Sequence, residues 1–411
     1  MPHRDKQIIR TLARRYADVA ADPIQDVRRT LWRDHNSLVP TRPLLYARVE
    51  GSVAGTAEVP EVALPKCEDP RWRGIEKWLQ LHLFKASLGD DYVFEPFLPI
   101  HATFSCTGWG PTIALHFATE GTHSFTVDYP IRDLDDLDQL RPPSHAIDEA
   151  ATASWLAEVE DTIGDILTVD SDRAPAYRMW SGDISSDLGY LRGVGSLTTD
   201  VLMYPEWTHR FVKFLADGVE RVQSQAEAAG DWGFSAHENQ SIPYARELDG
   251  PRPNARGARR SQLWGYMASQ EFELVPPELF EEFLLRYQRP ILERYGLVAY
   301  GCCEDLTRKI DKLRSVRNLR RIAVAPRADL RSCAQQIGTD YVISWRPNPA
   351  EMICLGCDED AMHKKLIEGL RICKGLHVDI CLKDITTVQN EPHRFGVWVR
   401  VARQAIEEAW G

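Results

Sequence analysis

The chain has 411 residues, of which 44% are hydrophobic, and a formal net charge of −11. This length and composition belong to a folded chain with a sizeable core and exclude a disordered one, while the acidic balance excludes a general nucleic-acid binder. The start Met1-Pro2-His3-Arg4-Asp5-Lys6 lacks an apolar signal core, and no run of about 18 apolar residues marks a membrane span, so a cytoplasmic protein without nucleic-acid or membrane partners is expected.

Residues 1–90 read as an N-terminal helical arm or cap. Ile8, Leu12, Tyr16 and Val19 recur at helical spacing, and Trp72, Trp78, Leu79, Leu81 and Leu83 suggest a second amphipathic helix before Asp90-Asp91. Over residues 91–411 strand-like and helix-like segments alternate. The strand candidates are residues 93–97 (with Ile100 and Phe104), 124–129, 176–180, 232–236, 297–302, 321–325, 341–345 and 378–382. Helical patterns separate the later ones: Leu306, Ile310 and Leu313; Leu330, Cys333 and Ile337; Met362, Leu366, Leu370 and Cys373. Alternation at roughly 20–40 residue spacing predicts an α/β fold, a (β/α)8 TIM barrel with an N-terminal helical extension. A doubly wound open sheet is the competing topology, and no Gly-rich phosphate fingerprint follows an early strand to favour it.

The nine cysteines are odd in number and irregularly spaced, so reduced thiols are expected. The densest group of metal-capable side chains is Tyr300-Gly301-Cys302-Cys303-Glu304, at the end of a candidate strand. A βα-barrel carries its chemistry at such strand ends. Strand alternation puts Tyr300, Cys302 and Glu304 on one face, and Gly301 and Cys303 on the other. Cys302 and Glu304 are thereby candidates to share a metal ion, with Cys303 joining if the strand has already ended. Zinc suits thiolates; the bland alternative is small thiols packed against a helix.

Other strand ends carry further candidates. Lys383-Asp384 closes the last strand, and Asp384 is either a ligand, an orienter of one, or a helix cap paired with Lys383. His237-Glu238 follows residues 232–236 and either binds metal, holds substrate or forms a hydrated loop. Gln270-Glu271 follows the aromatic stretch 263–267, where a carboxyl group with a raised pKa serves as general acid, unless it only begins an exposed helix. Trp345-Arg346-Pro347-Asn348-Pro349 offers Arg346 to an anionic substrate group. The four arginines of residues 252–260 form either a solvated loop or a contact for phosphate or an acidic partner. A Gly-x-Ser-x-Gly elbow, a phosphate-cradling loop and a His-Glu-x-x-His motif are all missing from the sequence.

Several of these stretches together resemble the uroporphyrinogen decarboxylase superfamily, in particular its corrinoid-linked methyltransferase branch. They are Ser269-Gln270-Glu271, Pro277-Glu278-Leu279-Phe280, Tyr300-Gly301-Cys302-Cys303-Glu304, Ser344-Trp345-Arg346-Pro347-Asn348-Pro349-Ala350 and Lys383-Asp384, within a resemblance spanning roughly residues 90–411. The resemblance implies a (β/α)8 barrel and zinc held by a His-x-Cys pair and a later cysteine. Here Tyr300 stands at the histidine position, Cys302 at the cysteine, and Asp384 near the later thiol. The implied zinc set is then Cys302, Cys303 and Glu304, completed from Asp384, His237, Glu238 or Glu271. The implied activity is transfer of a methyl group from a small-molecule donor, an O-methyl compound such as a methoxyarene, to the cobalt of a corrinoid (cobalamin) on a separate protein. Glu271 and Tyr300 would assist as hydrogen-bonding catalytic groups, and Gln270, Trp345, Arg346 and Lys383 would contact substrate. A decarboxylase or lyase of a carboxylated, tetrapyrrole-like substrate is the alternative, although the arginine-rich motif of the decarboxylases is not found. A non-catalytic corrinoid or tetrapyrrole carrier is a third reading, and homodimer formation stays open.

Overall fold

The computed structural model of the chain describes residues 2–49, 58–105, 108–117 and 125–411, so Cys106 and Ser124 lie outside the described residues. Six strands form one parallel sheet in the order β1-β10-β9-β8-β7-β6. They are β1 (Leu44–Ala47), β6 (Trp264–Met267), β7 (Leu297–Tyr300), β8 (Leu319–Val324), β9 (Val342–Trp345) and β10 (Val378–Leu382). Two more, β2 (Phe97–His101) and β5 (Thr168–Asp172), make a separate parallel ladder, and β3 (Ala114–Phe117) and β4 (Phe125–Asp128) form an antiparallel pair.

The expected closed barrel is not formed by backbone ladders among the described residues. Side chains and loops occupy the two breaks instead. At the free edge of β1, the Leu45 and Ala47 amides donate to Asp91 Oδ2 (2.8 Å) and Asp90 Oδ2 (2.9 Å), ahead of β2. At the edge of β5, Asn254 Nδ2 donates to the Val169 carbonyl at 2.8 Å, and the Glu238 amide donates to the Trp264 carbonyl of β6 at 3.2 Å. Sheet edges buried in a fold need such partners, because an unpaired amide is costly.

Four of the expected strands stand close to their predicted places, at β7, β8, β9 and β10. Elsewhere the structure corrects the expectation. Residues 176–180 are a bend and 3-10 turn, and the strand lies earlier, at β5. Residues 232–236 lack regular structure, and the aromatic stretch behind them is β6. The predicted strand at 124–129 is half of the antiparallel pair. The predicted arm contributes β1 to the sheet, and its helices His3–Ala20 and Pro70–Leu88 pack with helix Glu149–Ile163 over β2 and β5, through Ile9, Tyr16, Leu79, Leu98, Val159 and Val169. The helix over residues 70–88 is punctuated as its sequence dictates: Asp69 accepts the Arg71 amide at 2.8 Å, and Gly89 closes the helix in the left-handed region.

The main sheet has two unlike faces. Val298, Tyr300, Ile322, Val324, Ile343, Trp345, Ile380 and Leu382 join the principal apolar core with the covering helices. The alternate positions include Arg321, Ser344, Asp379 and Lys383, all buried. Buried charge must be paired. Arg321 Nη2 donates to Asp379 Oδ1 at 2.6 Å and to Ser344 Oγ at 2.8 Å, while His35 Nε2 lies 3.2 Å from Asp379 Oδ2. Burial pushes the Asp379 carboxyl up, yet Arg321 and His35 outweigh it and hold the group below the usual carboxylate range. Arg321→Met should therefore lower unfolding stability by about 3 kcal/mol, because it leaves a buried carboxylate without its cation. Urea titration should also show the Arg321→Met/Asp379→Leu double variant recovering most of that loss; equal stability of wild type and single variant would refute the pairing.

Candidate active site

The carboxyl ends of β7, β9 and β10 meet around a pair of thiols. Strand β7 ends at Tyr300, and Gly301 then adopts a φ of 95°. A Cβ at Gly301 would stand 2.5 Å from the Leu306 side chain, so both conformation and space require glycine. This left-handed step interrupts the alternation assumed from sequence. Tyr300 stays on the helix side, its hydroxyl donating to Gln288 Oε1 at 2.7 Å, whereas Cys302 joins the inner cluster with Tyr266 and Ala299. Tyr300 and Cys302 thus face opposite ways, which corrects the expectation of a shared face.

On the inner side, Lys383 Nζ donates to Cys302 Sγ at 2.9 Å and reaches Cys303 Sγ at 3.5 Å. The two sulfurs are 3.2 Å apart, and Cys303 Sγ also lies 3.2 Å from Asp384 Oδ2, the alternative acceptor for its one proton. Asp384 is itself left-handed, with a φ of 57°. The Arg346 guanidinium is fully enclosed beneath, donating to the Cys302 carbonyl and, at 2.9 Å, to Gln240 Oε1. The hydrogen bond from Cys303, followed by the charges of Arg346 and Lys383, holds the Cys302 thiol below its ordinary range despite burial. Cys303 moves the opposite way, because it supplies that hydrogen bond and keeps its proton. The result is one stabilised thiolate beside one thiol.

The remaining expected ligands are engaged elsewhere. Glu304 accepts the amides of Ser269 (2.7 Å) and Cys302 (2.8 Å), and so ties the end of β7 to that of β6. His237 Nδ1 accepts the Trp264 amide at 3.2 Å, and burial lowers the ring to about 4, leaving it neutral. Glu238 sits 3.5 Å from Arg178 Nε, in a second charged group where Asp172 also receives Arg178 and His101 (2.8 Å). Burial pushes Glu238 up to about 7 against the opposing charge of Arg178. Among the described residues, no three His, Cys, Asp or Glu side chains are arranged to hold a metal ion. With Lys383 against both sulfurs, the donor set does not suit the zinc site expected.

Glu271 lies in the 3-10 turn Gln270–Phe272 that follows β6. Its Oε2 accepts from Ser185 Oγ at 2.5 Å, and burial raises its pKa over the opposing effect of that bond. Beneath it, Asp183 is fully buried and receives the Ala268 amide at 3.2 Å; burial first, then the Glu271 charge, pushes it well above the carboxylate range. Glu271 also feels the charges of Glu304 and Cys302. The mouth therefore has a thiolate with two cations on one side and carboxyl groups of raised pKa on the other. Gln270 is half-buried at the start of the same turn. Trp345 instead belongs to the outer core, its ring so close to Gly369 that a Cβ there would be 2.2 Å away. Arg260, expected in a mobile loop, is buried against Glu220 at 2.9 Å and Glu227 at 3.2 Å.

Sequence reasoning missed Asp183, Ser185, His101, Asp172 and Arg178. The segment Asp183-Ile184-Ser185-Ser186 was legible as a helix start, since Asp183 caps helix Ile184–Arg192. Nothing local reveals that the same turn would reach Glu271.

No family model matches the chain, and no curated protein matches it. Among solved structures the fold is similar to that of a methyltransferase from Methanosarcina mazei, with a TM-score of 0.50, 11% sequence identity, and 93% of this chain and 99% of that chain covered. At that identity the likeness concerns the fold. No helix among the described residues is long and apolar enough to cross a membrane.

The thiolate assignment has a direct consequence. Removing the ammonium in Lys383→Met should raise the Cys302 pKa by about one unit or more. Ultraviolet thiolate absorbance against pH, taken as wild type minus Cys302→Ser, reads that shift. An unchanged titration would show that Lys383 does not stabilise the thiolate.

Proposed function

We propose that the protein is a methyltransferase that takes a methyl group from an O-methyl compound, with methoxyarenes the donor class, and passes it to the cobalt of a corrinoid carried by a separate protein. The observation that carries this reading is the convergence of the Cys302–Lys383–Arg346 group and Glu271, whose pKa burial raises, at the carboxyl ends of parallel strands. The likeness in fold to a solved methyltransferase supports it. The corrinoid would supply the nucleophile that accepts the methyl group. What this chain must supply is a proton, because the ether oxygen keeps the bonding pair when its bond to carbon breaks. Glu271, its pKa raised by burial and its carboxyl group positioned by Ser185, is the general acid. Lys383 and Arg346 add positive potential that favours charge on the leaving oxygen, and Cys302 as thiolate offsets part of it. Both cations are already occupied by Cys302, so the decarboxylase reading, which needs them free for substrate carboxylates, gains no support.

The pH dependence follows from the shifts. A general acid with a raised pKa keeps its proton to higher pH, so activity should be present below the Glu271 pKa and fall as pH rises through it. A panel of methoxyarenes incubated with the protein and cob(I)alamin, with phenol release measured by chromatography, tests the reading. Glu271→Gln should lower the rate by about a hundredfold or more and remove the alkaline limb. Release of no phenol from any donor, or a Glu271→Gln variant with the wild-type rate and profile, would overturn it.

A further inference from the structure

On the far side of helix Ile184–Arg192 from Glu271 lies a cavity of about 420 Å³. Its wall contains Trp109, Tyr177 and Tyr190 together with Ser186 and Asp187, and no Lys, Arg or His among the described lining residues. The Trp109 and Tyr177 rings meet edge-on with centroids 5.5 Å apart. Two glycines make room for them. A Cβ at Gly218 would lie 2.5 Å from the Trp109 ring, and one at Gly108 would lie 3.2 Å from the Tyr177 hydroxyl. At this aromatic wall, Asp187 Oδ2 and Trp109 Nε1 are both buried, and the Trp109 N–H is the one polar group turned to the carboxyl group, without a well-formed hydrogen bond between them.

A carboxyl group enclosed by aromatic rings and left without a cation is an unbalanced arrangement. Burial raises its pKa well above the carboxylate range; the nearby Trp109 N–H opposes that rise, and the charge of Glu271, from the turn after β6, adds to it. A ligand that is both cationic and apolar at its surface would satisfy the carboxyl group and the rings together. Metal ions and protonated guanidines need more polar partners than this wall provides, whereas alkylated ammonium ions are held by ring faces and one carboxylate.

We propose that this cavity binds a small alkylated ammonium ion, with its cationic head among Trp109, Tyr177 and Tyr190 and against Asp187. The site is separate from the Cys302–Glu271 centre, and the proposal stands whether or not the methyl-transfer reading does. The ligand exchanges for the Asp187 proton, which passes to solvent.

Calorimetric titration of the full chain with choline, and with its uncharged isostere carrying carbon in place of nitrogen, tests it. Choline should bind about tenfold or more tightly than the isostere. Its heat should depend on the ionisation enthalpy of the buffer, and binding should strengthen as pH rises, because a proton is released. Asp187→Asn should weaken choline binding by about tenfold and abolish the buffer dependence. Tyr190→Ala, at a ring 42% exposed, tests the cage without disturbing the core and should weaken binding several-fold. Equal affinity for choline and the isostere would make this a neutral-ligand pocket and overturn the proposal. So would absence of choline binding to the folded wild type, or unchanged affinity in both variants.

Discussion

The contact on which the site depends is the one between the Lys383 ammonium and the Cys302 sulfur, 2.9 Å apart and almost wholly removed from water. A buried ammonium and a buried thiolate are each unfavourable alone; side by side they stabilise one another. The pair requires three separate backbone conditions. Gly301 must turn left-handed so that Cys302 enters the inner side, β10 must present Lys383 rather than Leu382 inward, and Glu304 must anchor the turn by accepting the Ser269 and Cys302 amides. Arg346 closes the group from beneath by holding the Cys302 carbonyl. Displacing any one of these elements would leave a buried charge without its partner.

The same constraint acts along the whole inner side of the sheet. Near the strand starts it is met by Arg321, Ser344, Asp379 and His35, and at the strand ends by Lys383, Arg346 and the thiols. Between the second pair of strands it is met by Asp172, Arg178, His101 and Glu238. Glu271 and Asp183 differ from all of these, since neither has a cation against it, and burial raises the pKa of both. Charge separation across the mouth therefore comes from where cations are missing as much as from where they are present.

Much of this was legible in the sequence where local chemistry and tertiary role coincide. Residues 378–382, an apolar run bounded by turn residues, are read as a strand and form β10 with those limits. The Cys302-Cys303 pair at a strand end, Lys383-Asp384 opposite and Glu271 beyond an aromatic strand were all found from residue type and position. Strand β5 was not, because Asp170 and Asp172 carry low strand propensity, while the aromatic residues at 176–180 offered a false signal. Tyr300 was assigned to the wrong side, because two-residue alternation was carried through Gly301, where a positive φ ends it. His237 looked like a ligand, but its partner is the Trp264 backbone, which only the packing of β6 brings near. Arg260 looked solvated, and its partners Glu220 and Glu227 lie on a helix more than thirty residues earlier.

The ammonium at the thiols also limits the chemistry that the site can perform. A divalent ion bound by thiolates can keep an open position and polarise a leaving oxygen directly. An ammonium has no such position: its protons are directed to Cys302 and Cys303, with Asp384 at 3.3 Å. Its effect on a bound substrate is electrostatic, and it is partly offset by the thiolate it accompanies. In the proposed methyl transfer, activation of the leaving oxygen would then depend on proton donation, and Cys303 and Glu271 are the groups at the mouth with raised pKa. Of these, Glu271 is the better acid, because a carboxyl group raised by burial still releases its proton more readily than a thiol raised by a neighbouring thiolate. In the proposed reaction the Lys383–Cys302 pair would thus leave Glu271 as the acid, because its ammonium contributes potential and no proton to the leaving oxygen.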